Sequence, residues 1–596
     1  MPEFKLDLRD MRFILKEQVG IESIASAERH GALTWSDLDL VLVEGERVAR
    51  EVIHPLQEGS DRIGAKLVDG QVVLAPGYDK AFRQFTSQGW NAASVTPELG
   101  GQGLPHTMAA ALADMFIGAC PSFYFIPGLA HAAARVIEMV GTPTQRATYC
   151  KKMYMGTWGG TMCLTEAQAG TAVGDLRTVA ERTDREGTYR IKGNKIFISA
   201  GDQPITENVI HMVLARTPDA PPGIKGVSLF IVPKRRLADG RFNDVKVTGV
   251  EEKMGLHGSP TCSLAFGDDD ACEGEIVGRE GEGIQHMFLM MNEARIAVGL
   301  QASSMANYAY QLALAYAKER VQGVDVTAMK DPMAPRVTII EHPDVRRMLV
   351  SMKAFSEGIR ALLLLVASYV DRHELATNEV EKDRYRALAE LLTPICKAYG
   401  SYRAFEVVDM AIMVHGGYGY IREYGVEGLL RDVKIAAIYE GTNGVQALDL
   451  LGRKVAMKGG AAFMTFVGWM NEFIATHKSN AVIAPLIEKL ETAKNTLVAI
   501  TMDFGGRNMK GDRYYPVLHA SNYLEMFGHI VLARVLVEQA AIGYRLAENA
   551  TDLTDLQYYQ GKLETARFFI HQVLPKVEAL AISIRSEDRS VLEFQF

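Results

Sequence analysis

Glu440 has the surroundings of a general base. It follows a mostly apolar run, Ile435-Ala436-Ala437-Ile438-Tyr439, and opens directly into the turn Gly441-Thr442-Asn443-Gly444. A carboxylate at the end of an apolar segment loses hydration, which disfavours its charged form and lifts its pKa toward neutrality. That suits a group that must remove a weakly acidic proton. The competing reading of the same residues is a loop or helix-capping glutamate that happens to follow a buried run.

A second stretch with chemical potential is GGTMCLTEAQAGT, Gly159 to Thr171. It reads as a strand entering a turn rich in small and hydroxyl residues, whose backbone amides and Thr hydroxyls could bond a heterocycle edge and a pyrophosphate. An ordinary strand-to-loop exit has the same composition. The cluster His415-Gly416-Gly417-Tyr418-Gly419-Tyr420 does not fit the dinucleotide pattern G-x-G-x-x-G; it offers either a phosphate cradle of bare amides or a tight helix-ending turn. The chain carries no G-x-x-x-x-G-K-[ST] loop, no G-x-S-x-G elbow and no H-E-x-x-H pair.

The elements that must position these residues change character along the chain. Residues 1–157 read as a helical domain, with helical patterns from Tyr78 to Trp90, Thr107 to Cys120, His131 to Val140 and Thr144 to Met155. From 158 to 275 short alternating or wholly apolar runs separated by Gly, Pro, Asn and Asp predict a β domain, a small barrel or sandwich. Within it TYRIKGNKIFIS predicts a hairpin turning at Gly193-Asn194. Helical periodicity returns over 276–460, with long patterns from Gly283, from Asp344 to Asp371 and from Lys382 to Met413 that predict a bundle. Gly459-Gly460 marks a boundary, and 461–596 forms an additional C-terminal helical domain. The fold class is thus multidomain α+β.

Composition narrows the remaining classes. With 48% hydrophobic and 23% charged residues and a net charge of -8, the chain lacks the basic footprint of a nucleic-acid binder. The longest apolar run near a helix centre, Ala361 to Val370, falls short of the roughly 20 residues a bilayer span needs. The six cysteines are scattered without a C-x-x-C pair, and MPEFKLDLRDMRF has no apolar signal core, so the expectation is a cytoplasmic protein with reduced thiols and no membrane span.

Six motifs, TMCLTEAQAGT, KIFISAG, KMGLHGSPTC, YAKERVQG, HGGYGY and RDVKIAAIYEGT, fall in the order seen in acyl-CoA dehydrogenases, which this chain resembles. Its N-terminal LRDMRFIL segment and the helical block after 460 resemble the long subgroup, which includes 3-methylmercaptopropionyl-CoA dehydrogenases and large bacterial fatty acyl-CoA dehydrogenases. The resemblance implies FAD-dependent α,β-dehydrogenation of an acyl-CoA to the trans-2-enoyl-CoA, with electrons passing to an electron-transfer flavoprotein, and at least a homodimer. Glu440 matches the base that takes the α-proton. Leu164, Thr165, Gly170 and Thr171 match the flavin-binding turn, and Phe197 and Ser199 an aromatic platform and a hydroxyl near flavin N5. Arg320, Gln322, Gly416, Gly417 and Thr442 match contacts to the nucleotide end, some of them across a subunit interface. Arg295 matches an arginine near the CoA, with a structural ion pair as its alternative. The family's second location for the base is occupied by Ala294, and Glu293 beside it is turned by about 100° on a helix. Ala167, Ala172, Gly323 and Met413 depart from the usual Pro, Asp, Phe and Gln. An oxygen-using acyl-CoA oxidase and a non-catalytic flavin- or acyl-CoA-binding protein are the alternatives.

Overall fold

The computed structural model describes residues 2–596, apart from the side chains of Leu289, Met290 and Asn292. The chain folds into two compact units, one built from Glu28–Ala32 and Leu40–Ala294, the other from the chain up to Ala27, Leu33–Asp39 and Arg295–Phe596.

The first of these holds helices and the sheet. In the helix Tyr78–Ser87 the buried residues Tyr78, Ala81, Phe82 and Phe85 recur at helical spacing, so one face is apolar. Phe85 meets Phe116 of the helix His106–Ala119 edge to face, with ring centroids 5.1 Å apart. The helix expected from His131 is the second half of a longer one, Pro121–Val140. It begins earlier because Pro121 sits at its first turn, where the missing N–H costs nothing.

The sheet runs in the order Glu273–Ile276, Val227–Pro233, Asn208–Arg216, Val179–Arg182, Thr188–Ser199, Thr261–Phe266, Val245–Val250. Trp158–Cys163 lies parallel to Asn208–Arg216, and Glu273–Ile276 also pairs with Thr188–Ser199, so part of the sheet closes on itself as a barrel does. Asn208–Arg216 does not alternate in polarity because both its faces are covered. Ile210, Met212 and Leu214 point into one apolar cluster with Ala133, Ile137 and Tyr149. Val213 and Ala215 point into another, with Ile191, Leu264 and Phe266.

The hairpin expected at Gly193-Asn194 does not form. Thr188–Ser199 is one continuous 12-residue strand, paired there with Thr261–Phe266. The glycine serves close approach instead of a turn: a Cβ at Gly193 would lie 2.5 Å from Thr178 Oγ1.

In the second unit the long pattern from Gly283 is a single helix, Gly283–Glu319, which crosses from one unit into the other along the chain. Pro343–Leu375 follows, and the pattern from Lys382 becomes Glu379–Pro394 and Gly400–His415 joined by a π-helical turn, Ile395–Tyr399. Pro394 supplies no N–H to the helix it sits in, and the wider turn immediately after it accommodates the interruption. Lys458, Gly459 and Gly460 take left-handed φ of 50°, 68° and 88°, which breaks the chain's course at the expected boundary. The C-terminal helices, among them Ala484–Met509, Ala520–Ala547 and Leu553–Phe568, belong to the same unit as the bundle. Ala520–Ala547 is long and apolar enough to cross a membrane, but 83% of its most apolar stretch is buried inside the protein.

The first 27 residues also lie in this unit, not with the helices that follow them. Their anchor is a buried charge cluster. Lys562 donates to Asp10 Oδ1 and, at 3.0 Å, to Glu357 Oε2, while Arg360 Nη1 stands 3.7 Å from Asp10 Oδ2. All four side chains are nearly inaccessible.

Candidate active site

The base turn is built from the end of a short 3₁₀ segment, Lys434–Ala437, and the start of the helix Asn443–Asp449. Between them Glu440 and Gly441 both take left-handed backbone, φ 55° and 84°. A side chain in that region is strained by about 1 kcal/mol or more, and such strain persists only where neighbours impose it. Here they do. Gln446 Nε2 donates to Glu440 O at 3.1 Å, and Lys397 Nζ donates to Gly441 O at 2.7 Å. The capping role belongs to Thr442, whose Oγ1 accepts from the Val445 amide at 3.3 Å, so Glu440 is not a helix cap.

Glu440 as a residue is only half-buried, yet enough protein surrounds its carboxyl group to push its pKa up, against the opposing pull of Arg295 and Lys397. Arg295 is 3% exposed and forms an ion pair with Asp449 at 3.3 Å. Asp449 also receives Arg453, at 2.9 Å. Tyr439, beside the base, donates its hydroxyl to Gln301 Oε1. Glu293 is exposed, with Arg135 Nε 3.8 Å from its carboxylate.

Four of the five nucleotide-end candidates, Arg320, Gln322, Gly416 and Gly417, gather in one cleft of about 640 Å³, which Met413 and Tyr418 also line. Gly416 ends the helix Gly400–His415 with φ 60°, and a Cβ at Gly416 or Gly417 would meet only open space. The turn therefore closes a helix and still leaves bare backbone open to a ligand. Arg320 lies over the Tyr418 ring at 5.4 Å, and Tyr316 stacks on His415 at 4.4 Å, which stiffens the cleft wall. Thr442 is exposed on the base turn and does not line this cleft.

In the other unit, the strand Trp158–Cys163 leads into the turn at Leu164 and Thr165, closed by paired hydrogen bonds between Glu166 and Ala169. Glu166 organises the turn from inside. Its carboxylate accepts from Lys195 Nζ at 2.8 Å, the Thr178 amide at 3.0 Å, Thr178 Oγ1 at 2.6 Å and the Arg177 amide at 2.6 Å. Burial alone would raise this carboxyl, but Lys195 and the other donors outweigh it and hold it down at about 2. Lys195 Nζ also donates to Leu164 O at 3.0 Å. The Ile196 amide donates to Thr165 O at 3.0 Å, which docks the turn on the strand that carries Phe197 and Ser199.

Phe197 is 60% exposed, and its backbone is left-handed with φ 60°, as is that of Ala200 with φ 51°. An aromatic ring held outward on strained backbone is a platform for a flat partner. The Thr165 and Ser199 hydroxyls have no hydrogen-bond partner among the described residues, and Gly170 has open space where a Cβ would stand. These features fit a planar, hydrogen-bonding heterocycle such as a flavin ring. Reading the sequence assigned no role to Lys397, Asn443, Gln446, Glu166 or Lys195, although Glu166, Lys195 and Asn443 lay inside stretches already singled out.

Known proteins resemble this chain along most of its length. Family descriptions match the chain in order: acyl-CoA dehydrogenase N-terminal domain over 70–157, middle domain over 161–268, C-terminal domain over 281–455, and acetyl-CoA dehydrogenase C-terminal like over 466–595. The 3-methylmercaptopropionyl-CoA dehydrogenase of Ruegeria pomeroyi is 36% identical, over 97% of each chain. This chain belongs to the acyl-CoA dehydrogenase family. A butyryl-CoA dehydrogenase of Syntrophomonas wolfei is 35% identical over 98% of this chain and 97% of its own. An acyl-CoA dehydrogenase from Bacillus anthracis, solved complexed with FAD, shares the fold with a TM-score of 0.74 at 20% identity, over 92% of this chain and 88% of that one. As a member of the family this chain is an oxidoreductase acting on acyl-CoA.

Proposed function

We propose that this acyl-CoA dehydrogenase oxidises an acyl-CoA thioester to the trans-2-enoyl-CoA with FAD, Glu440 taking the α-proton. The observation that carries the reading is a carboxylate with a raised pKa held on strained backbone at the end of an apolar segment. Such a base is strong enough at neutral pH to accept a proton from a thioester α-carbon, provided that carbon is acidified. The Glu440 backbone N–H, turned by the left-handed conformation, would donate to the thioester oxygen and stabilise the enolate-like charge. Bound FAD would supply a two-electron acceptor for the β-hydride.

Leu164, Thr165, Gly170, Thr171, Phe197 and Ser199 would hold the flavin ring. Arg320, Gln322, Gly416, Gly417 and Thr442 would hold the nucleotide end. Arg295 belongs to the substrate side through the positive charge it sets beside the base. An electron-transfer flavoprotein is the proposed acceptor, the cytoplasm the proposed compartment and a homodimer the proposed assembly. Light scattering should give at least a dimer; a monomer that keeps its FAD would overturn the sharing of Arg320 between subunits.

Anaerobic titration of the FAD-loaded protein with acyl-CoAs tests the reaction. Butyryl-CoA and 3-methylmercaptopropionyl-CoA come first, because those acyl groups appear in the names of the two relatives. Bleaching of the flavin absorbance is expected. A bound flavin that no acyl-CoA of graded chain length reduces would sink the proposal.

A further inference from the structure

Lys397, which donates to the turn after Glu440, is unusually placed. It is 0% exposed and sits in the π-helical turn Ile395–Tyr399, directly after Pro394. The π-turn adds a residue to the helical circuit and re-aims the side chains on it, a device frequent at functional sites. Its ammonium donates to Gly441 O at 2.7 Å and to Asn443 Oδ1 at 3.0 Å. Asn443 is itself fixed from the same helical turn, with Nδ2 donating to Ala398 O at 3.1 Å and to Ser401 Oγ at 3.0 Å. Gly441 and Asn443, the first and third residues after Glu440, are thus both clamped to the helix that carries Lys397.

Burying an ammonium without a full counter-ion is expensive, and a lysine is retained at such a site only where its charge or its donors are used. A neutral side chain of similar length would satisfy the packing. The groups that face the base are Lys397 from the π-turn, Arg295 from the long helix, and the neighbouring Tyr439. Those that face Lys397 are Glu440 and Arg295, and Arg295 is itself largely engaged by Asp449 with Arg453 alongside. Lys397 is therefore the cation near the base whose own carboxylate partner is the base.

We propose that Lys397 is a positioning residue for the base: its ammonium ties the Gly441–Asn443 turn to the helix, keeps Glu440 in its left-handed conformation, and biases the ionisation of the Glu440 carboxyl. The proposal rests on the assignment of Glu440 as base, and it is tested without turnover as well as with it. Burial lowers the Lys397 ammonium to about 7, so the pair changes its charge within the neutral range.

The experiment follows the Glu440 carboxyl by pH-difference infrared spectroscopy on the FAD-loaded protein without substrate, its band identified by loss in Glu440→Gln. In Lys397→Met the carboxyl midpoint should rise by about one pH unit or more, because one of two nearby cations is gone. The acid limb of anaerobic flavin bleaching by acyl-CoA should move with it, and kcat should fall by about tenfold to a hundredfold, with a smaller change in KM. Lys397→Gln keeps a donor for Gly441 O but no charge. It should recover much of kcat at high pH while the midpoint stays displaced. A midpoint unmoved in both variants would reduce Lys397 to a packing residue and overturn the proposal. Should neither variant accumulate folded, the wild-type titration decides: coupling to the ammonium gives a carboxyl band that titrates in two steps, whereas a single step overturns it. Failure of wild type to bleach with any acyl-CoA would instead overturn the functional reading and leave the infrared result standing.

Discussion

On the proposed mechanism a single carboxylate, Glu440, carries the chemistry, and its energetics set opposite demands on activity and stability. With the Glu440 pKa raised in the folded state, the native protein holds a proton that the unfolded chain, at the ordinary value of 4.5, has already released. Stability therefore falls as pH rises from that ordinary value through the folded one. Glu440→Gln removes the penalty. Thermal melts should show the variant more stable than wild type at pH 8, with the difference fading toward pH 4. The same variant should retain FAD and lose about 10²- to 10⁴-fold or more in the rate of anaerobic flavin bleaching, the range of a general base. A variant that bleaches at the wild-type rate would remove Glu440 from the reaction.

At the scale of elements, the turn after Cys163 depends on Glu166 more than on its own small residues. Because this carboxyl titrates at about 2 in the folded state against 4.5 ordinarily, its contribution is present above 4.5 and is lost as pH falls toward 2. Urea unfolding between pH 3 and 6 should show Glu166→Gln with a shallower loss of stability in acid than wild type. Lys195→Met leaves that carboxylate buried without its cation and should cost about 3 kcal/mol, together with weaker FAD retention because Leu164 loses its anchor. Gly193→Val asks a strand to accept a side chain 2.5 Å from Thr178 and should cost about 2 kcal/mol, read as a lower midpoint in urea. Much of this element scale was legible beforehand: the strand-turn stretch, the helices and the β texture follow from local periodicity. Gly193-Asn194 was misleading because a glycine required by close packing and one required by a turn look alike in sequence.

At the scale of the molecule, the first 27 residues and the C-terminal helices are joined in one unit by charges that no local pattern announces. Lys562→Met would leave Asp10 with only the longer contact to Arg360, and Glu357 with Lys353, and should cost about 3–5 kcal/mol. A lowered melting temperature and faster proteolysis near Asp10 are the expected readouts. Replacing Asp10, Glu357 and Lys562 together by apolar residues should cost much less, since the penalty lies in breaking the cluster and not in lacking it.

By itself the sequence determined the succession of helical, β and helical regions, the candidate base at the end of its apolar run, and the family resemblance, because each is written in contiguous residues. Only the tertiary structure decided which charges meet. Lys397 reaches the turn after Glu440, Lys195 reaches Glu166, and Lys562 reaches Asp10, each across a separation that periodicity does not encode. It also decided the left-handed backbone at Glu440 and Phe197, a strain that the residue types do not favour and that only surrounding contacts impose.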